Sequence, residues 1–251
     1  MTANTKQNSE APIQSRDQFA KSYKEARAML HAQHRDHNPI QFKKKHIKQY
    51  EHEFELLTHA DPSMRVLEIG CGKGQFLKFL DHKNYRRTVG IDFDKQLAPL
   101  LDQISSAEIF FDNVLQLINS GQLTGPFDRI VMFDVAEHIE FDELVTLLKT
   151  LQNLLSDNGN ILMRVPNVTS PWGLDIFFSS FDHITPLSPG RLNQLAAITG
   201  YHCLGIYPQP IIPLGRRIKS WVLNKTLDFL LASPPDIWTA NCLAVYTLKK
   251  I

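Results

Sequence analysis

The chain is poor in cysteine: only Cys71, Cys203 and Cys242 occur in 251 residues, and no two of them have metal-ligand spacing. An odd, scattered set excludes a disulfide framework and suits a reducing compartment. Charge imbalance is missing as well. A formal net charge of +1 argues against a protein that holds nucleic acid by bulk electrostatics. No apolar run approaches the ~20 residues of a membrane span. The opening residues, MTANTKQNSEAP, have no apolar segment that would act as a secretory signal, so the expectation is a cytoplasmic protein. Internal repeats and long low-complexity tracts are also absent. What is present, with 43% hydrophobic residues, can bury a full α/β core. The domain is read as residues 61–251, preceded by residues 1–60 as a polar tail and helical extension.

The most informative stretch runs from Arg65 to Asp92. An apolar strand (Val66, Leu67, Ile69) enters a turn with Gly70, Gly72 and Gly74, a helical run follows (Phe76, Leu77, Phe79, Leu80), and a second strand ends on Asp92. Glycine adopts positive φ cheaply and lets a ligand press against bare backbone, while N–H groups at the next helix start suit a polar or anionic group. A dinucleotide fingerprint would put its third glycine at Gln75. Here it stands at Gly74, and an acid, Glu68, lies inside the strand end. Asp92 is the right length of chain away to hydrogen-bond both hydroxyls of a ribose. Cys71 sits within the turn, where a small side chain is the simplest explanation.

Glu68-x-Gly70-x-Gly72-x-Gly74 followed by Gly90-Ile91-Asp92 resembles the cofactor site of class I S-adenosylmethionine (SAM) dependent methyltransferases. The resemblance implies a Rossmann-like, doubly wound, seven-stranded α/β sheet with SAM across the first two strand tips. It also implies that Phe93 lies against the adenine face, that Asp112 or Asn113 faces the adenine amino group, and that Phe133 borders the cofactor. The bland alternative for Asp112 is an N-cap for the helix Val114 to Asn119.

The rest of the pattern fits. Helices are expected from Asp17 (Phe19, Tyr23, Ala26, Leu30) and over Gln41 to Thr58, as either a lid or a stabilising wrap. His31 and His34, one turn apart, either share a metal or form a solvated face. Further on, the spacing predicts a helix over Asp94 to Gln103, strands at 107–111, 127–133 and 160–165, and a helix from Glu143 that ends in a turn at Asp157-Asn158-Gly159. A helix over Pro189 to Thr199 and strands at 201–207 and 242–248 complete the sheet.

Methyl transfer from a sulfonium needs an in-line nucleophile and, for a hydroxyl, a proton acceptor. Asp134, Glu137 and His138 follow the fourth strand at i, i+3 and i+4, sharing a face if helical. His183 arrives in the loop after strand five. Two carboxylates and two imidazoles can bind Mg2+ or another divalent ion. This set resembles the Glu-x-x-Glu-His plus distant His pattern of ubiquinone-biosynthesis O-methyltransferases and small-RNA terminal 2′-O-methyltransferases, with Asp134 one methylene shorter. The alternatives are a metal-free site with His138 or His183 as general base, and Glu137-His138 as a helix cap.

Residues 167–189 read as a long loop. Its Trp172, Phe177, Phe178 and Phe181 form either an apolar wall for a flat acceptor or packing for the loop itself. Phe181-Asp182-His183 with the Pro/Ser-capped helix resembles bacterial methyltransferases of surface polysaccharides. That implies an O-methyltransferase of a sugar or glycan intermediate; the alternatives are a quinone-like phenol or natural product, and a SAM-binding module without catalysis. Leu214 to Leu231 is amphipathic and basic, expected to cover the sheet or, at most, to touch a membrane peripherally.

Overall fold

The computed structural model describes residues 42–211 and 213–249. The expected helix from Asp17 and the His31–His34 pair lie outside the described residues. Within them, strands β1 (Arg65–Ile69), β2 (Arg87–Asp92), β3 (Ala107–Phe111), β4 (Phe127–Phe133), β5 (Leu155–Pro166), β6 (Tyr201–Pro208) and β7 (Asn241–Leu248) form one sheet in the order β3-β2-β1-β4-β5-β7-β6. Strands β1 to β5 pair in parallel, and β7 runs antiparallel between β5 and β6. The chain moves outward from β1 to β3 and then returns to β4 on the other side of β1. A crevice therefore opens at the carboxyl ends of β1 and β4, where ligands of such sheets bind.

The central strands β1, β2, β4 and β5 are buried over most of their length because both faces are covered. Alternate side chains go to opposite faces: Ile130 and Met132 join one core and Val131 and Phe133 the other. Helices α4 (Val114–Asn119), α5 (Phe141–Leu151) and α7 (Pro189–Thr199) cover the first face, with Leu147, Leu148 and Leu192 among their buried residues. The second face takes α2 (Gln75–His82), the short α3 (Ala98–Leu101) and an amino-terminal helix, α1 (Lys44–Tyr50), which continues as a wider π turn over Glu51–Leu56.

α1 is part of this core. Phe54 is fully buried, edge-on to Phe76 at 5.0 Å, and Tyr50 stacks on Phe133 at 5.6 Å between centroids. Two further expectations need correction. Asp157-Asn158-Gly159 is no helix end: α5 closes earlier with a turn at Gln152–Leu154, and residues 155–166 are one strand with a register shift against β4 between Phe127 and Arg129. Ser156 in this irregular stretch donates its hydroxyl to Asp128 of β4 at 3.0 Å, which anchors the bulge. The supposed loop at 167–189 contains a helix, α6 (Pro171–Phe178), begun by Pro171 at a position where its missing N–H is harmless.

Because α1 fills the second core, Phe54→Ala should lower unfolding free energy by ~3–5 kcal/mol, the usual range for emptying a buried phenylalanine. Urea denaturation followed by circular dichroism checks this, and a change under ~1 kcal/mol would show α1 to be peripheral.

Candidate active site

The glycine turn leaves β1 with Gly70, Gly72 and Gly74 at φ of 73°, 51° and 74°. A Cβ on Gly70 would lie 2.4 Å from Val135 Cγ2, so this glycine is required by the close approach of the β4 exit. Gly72 differs: nothing lies within 4 Å of where its Cβ would be. Its backbone borders open space and can meet a ligand directly.

The Gly72 N–H donates to Asp92 Oδ2 at 2.8 Å, and the Asp94 N–H donates to Oδ1 at 3.0 Å. One backbone donor on each oxygen fixes the carboxylate and leaves lone pairs for ligand hydroxyls. Glu68 is buried behind it with Oε2 lacking a partner. Burial pushes its carboxyl well above the usual range, Arg164 opposes this and Asp92 adds to it. Burial likewise raises the Cys71 thiol, which makes it an inert packing residue.

Phe93 stands exposed at the tip of β2, and Asp112 and Asn113 are exposed at the tip of β3. The helix cap falls to Asn113, whose Oδ1 accepts the Leu115 N–H at 2.8 Å, rather than to Asp112. Phe133 is buried between Tyr50 and the Arg164 guanidinium, 4.6 Å from its ring.

The β4 exit departs from the expected helical face. Asp134 takes a left-handed φ of 58°, and only Ala136–His138 form a single 3-10 turn. Its carboxylate therefore turns to Arg164, accepting from Nε at 3.0 Å and from Nη2, while Arg164 Nη1 donates to Glu53 Oε2 at 2.7 Å. Gln49 and Gln209 donate to the other oxygen of Glu53 at 2.8 and 2.9 Å. Asp134 is thus engaged elsewhere, and the potential metal ligands brought together are Glu137, His138 and His183, one atom of each within 4.8 Å of the others.

Arg164 and Glu53 were not singled out from the sequence. For Arg164 the available signal was a lone cation inside the apolar run of strand five, since buried charges are paired; Glu53 had none.

The cluster is well held. Glu137 is 1% exposed, and its carbonyl accepts the Ile184 and Thr185 N–H groups at 2.8 and 3.0 Å, pinning the β5–α7 connection to the β4 exit. His138 Nδ1 lies 3.1 Å from the Asp182 carbonyl and His183 Nδ1 lies 2.9 Å from that of Phe177. A carbonyl only accepts, so each Nδ1 is the donor of its contact, and His138 Nδ1 also lies 3.4 Å from Asp182 Oδ2. The rings meet edge to face at 4.7 Å. Burial, joined by the Asp134 charge, pushes the Glu137 carboxyl up to about 8, and its Oε2 has no hydrogen-bond partner.

Of the aromatics expected at the acceptor side, Phe177 is buried against His183, while Trp172, Phe178 and Phe181 are exposed.

A parallel sheet with its switch point at β1 and β4, one antiparallel strand inserted before the edge, and a glycine turn facing a fixed carboxylate together define a class I SAM-dependent methyltransferase. The family profile described as "Methyltransferase domain" matches residues 42–204, and the chain belongs to that family. Among curated proteins no sequence match was found.

Solved structures agree in fold. A SAM-dependent methyltransferase from Archaeoglobus fulgidus superposes with a TM-score of 0.60 at 18% identity, over 91% of this chain and 97% of that one. The 1,6-didemethyltoxoflavin-N1-methyltransferase of Burkholderia thailandensis, with bound S-adenosylhomocysteine, gives 0.61 at 12% identity, over 96% and 93%. The mitomycin 7-O-methyltransferase gives 0.59 at 10% identity, over 82% and 53%.

The state of Glu137 predicts a pH dependence. Its folded pKa lies above the ordinary carboxylate value, so its favourable contribution is complete in acid and is lost as pH rises towards about 8. Relative to Glu137→Gln, the wild type should lose thermal stability between mildly acidic and mildly alkaline buffer. The expected scale is roughly 2–4 °C in Tm per kcal/mol for a chain of this size. Calorimetric scans of both proteins across that range provide the check; parallel profiles would contradict it.

Proposed function

We propose that this methyltransferase transfers a methyl group from SAM to a hydroxyl of a sugar or glycan intermediate. The observation that carries the reading is the convergence of Glu137, His138 and His183, with both imidazoles anchored through Nδ1 to backbone carbonyls. An acceptor nitrogen already carrying a lone pair has less need of such a base; a hydroxyl needs one.

On this reading SAM supplies the electrophilic methyl and a thioether leaving group. The chain binds it through the Gly70–Gly74 main chain, the Asp92 carboxylate at the ribose hydroxyls, Phe93 on the adenine face and Asp112 at the adenine amino group. Asn113, used as a cap, supports Asp112, while Glu68 and Cys71 form the buried floor and Phe133 backs the pocket. The acceptor oxygen bonds to the methyl carbon as the carbon–sulfur bond breaks with its electron pair going to sulfur. His183 Nε2, or His138 Nε2, takes the hydroxyl proton. The exposed Trp172 and Phe178 suit stacking on a sugar ring.

A metal-assisted version has specific support, because the orphaned Glu137 Oε2 and two imidazoles fit a divalent ion. An N2O donor set suits Mn2+, Fe2+ or Zn2+ better than Mg2+. Bound there, the ion would lower the pKa of a substrate hydroxyl. A non-sugar acceptor is the second reading, favoured by structural neighbours that are a 1,6-didemethyltoxoflavin-N1-methyltransferase and a mitomycin 7-O-methyltransferase.

Two measurements test the proposal. Asp92→Ala should weaken S-adenosylhomocysteine binding at least tenfold by calorimetry, about 1.4 kcal/mol or more; unchanged affinity would remove the assigned cofactor site. With labelled SAM and pooled acceptors, His183→Ala should lower kcat ~10²–10⁴-fold with binding intact. Loss of wild-type turnover on chelation, restored by Mn2+, selects the metal version, and indifference to chelator selects the metal-free one.

A further inference from the structure

The helix α8 (Leu214–Leu230), between β6 and β7, contradicts the expectation that it covers the sheet: none of its residues is buried. Its amphipathicity is inverted. The residues it turns toward the body are polar for the most part, with Ser220, Asn224, Leu227 and Asp228 half-buried. Asp228 Oδ1 accepts the Trp238 indole N–H at 2.8 Å, and Trp238 is itself buried. At ~100° per residue, Leu214, Ile218, Trp221, Val222 and Phe229 fall on one outward arc about 100° wide. Trp221 is 62% and Phe229 87% exposed.

The charges complete the pattern. Arg217 and Lys219 flank this arc on its two sides, Arg216 is also exposed, and Lys225 within the arc is paired with Asp228 Oδ2 at 3.4 Å. The helix's one acid, Asp228, holds Trp238 with Oδ1 and Lys225 with Oδ2, which leaves Arg216, Arg217 and Lys219 as the cations without an acid on this helix. An apolar arc edged by long cations is complementary to an anionic bilayer surface, where the rings and aliphatic chains enter the headgroup boundary and the cations reach phosphates. A protein partner would need a matching apolar face with acidic flanks, and a second copy of this helix would bring cation against cation. No described helix is long and apolar enough to cross a membrane, and at ~1.5 Å per residue these 17 residues lie in the plane instead.

We infer that α8 is an interfacial helix that docks this enzyme on an anionic membrane surface, held apolar side outward by the Asp228–Trp238 bond. The helix lies in the β6–β7 connection, beyond the family-matched region that ends at residue 204. The segment carrying Trp238 also reaches the acceptor side, since its carbonyl accepts the Ser170 hydroxyl at 2.7 Å and the Ile237 carbonyl accepts Asn167 Nδ2 at 2.8 Å. Docking would therefore bear on the residues that begin α6.

The test is co-sedimentation of the full chain with vesicles of phosphatidylcholine alone and of phosphatidylcholine mixed with phosphatidylglycerol. The mixed vesicles should retain at least ~10-fold more protein, and high salt should release it. Trp221→Asp and Phe229→Asp should each abolish retention, and Arg217→Glu with Lys219→Glu should weaken it ~10-fold or more. S-adenosylhomocysteine affinity and the circular dichroism spectrum should stay unchanged in all of them. Equal retention on both vesicle types, no retention on either, or a dimer in light scattering that Phe229→Asp dissolves would each overturn the inference. None of these outcomes depends on the acceptor, so failure here leaves the hydroxyl-methylation reading standing.

Discussion

The Arg164 guanidinium, stretched between Asp134 and Glu53, is the interaction on which the site depends. It joins three parts of the chain that are far apart in sequence: the end of β5, the exit of β4 and the π turn after α1. Glu53 is fully buried and Arg164 nearly so. Two such charges are tolerated only as a closed set, and removing one partner typically costs ~3–5 kcal/mol because the other is left uncompensated. Here the set is closed further by Gln49 and Gln209 on Glu53. The amino-terminal helix is thereby tied both by apolar burial and by a directional ion pair to the ends of β4 and β5.

This pair also decides the shape of the β4 exit. A left-handed residue other than glycine is strained, and the bidentate hold of Arg164 on Asp134 is what offsets that strain. The turn then delivers Glu137 and His138 inward while Asp134 stays behind as counter-charge. The result is an asymmetric arrangement of acids: Asp134 is paired, whereas Glu137 and Glu68 are buried with an oxygen each unsatisfied. Groups of the second kind are where a fold stores capacity for a cation or proton, since an incoming positive charge gains most where none is present.

The acceptor side is organised through backbone contacts. The carbonyls of Asp182 and Phe177 orient the two imidazoles, and the carbonyl of Glu137 holds the N–H groups of Ile184 and Thr185. Side-chain exchange within this connection would leave that framework in place.

Local chemistry made much of this legible in the sequence. The glycine turn, the acid at the end of β2, the 3.6-residue periodicity of α1 and α2 and the Ser/Pro start and glycine end of α7 are each set by neighbours within a few residues, and the fold class follows from their order. Asp92, Glu137, His138 and His183 stood out as candidates by residue type and spacing, but the meeting of His183 with Glu137 and His138 is a tertiary event. The bulge at 156–159, the helix α6, the destination of the Asp134 carboxylate and the outward face of α8 were decided by tertiary structure alone. Each depends on a partner distant in the chain: Asp128 across the sheet for the bulge, the buried Ser170–Trp238 contact for the start of α6, Arg164 for Asp134, and Trp238 for α8. Sequence periodicity reports which residues share a face, but only packing determines whether that face turns toward the core or away from it.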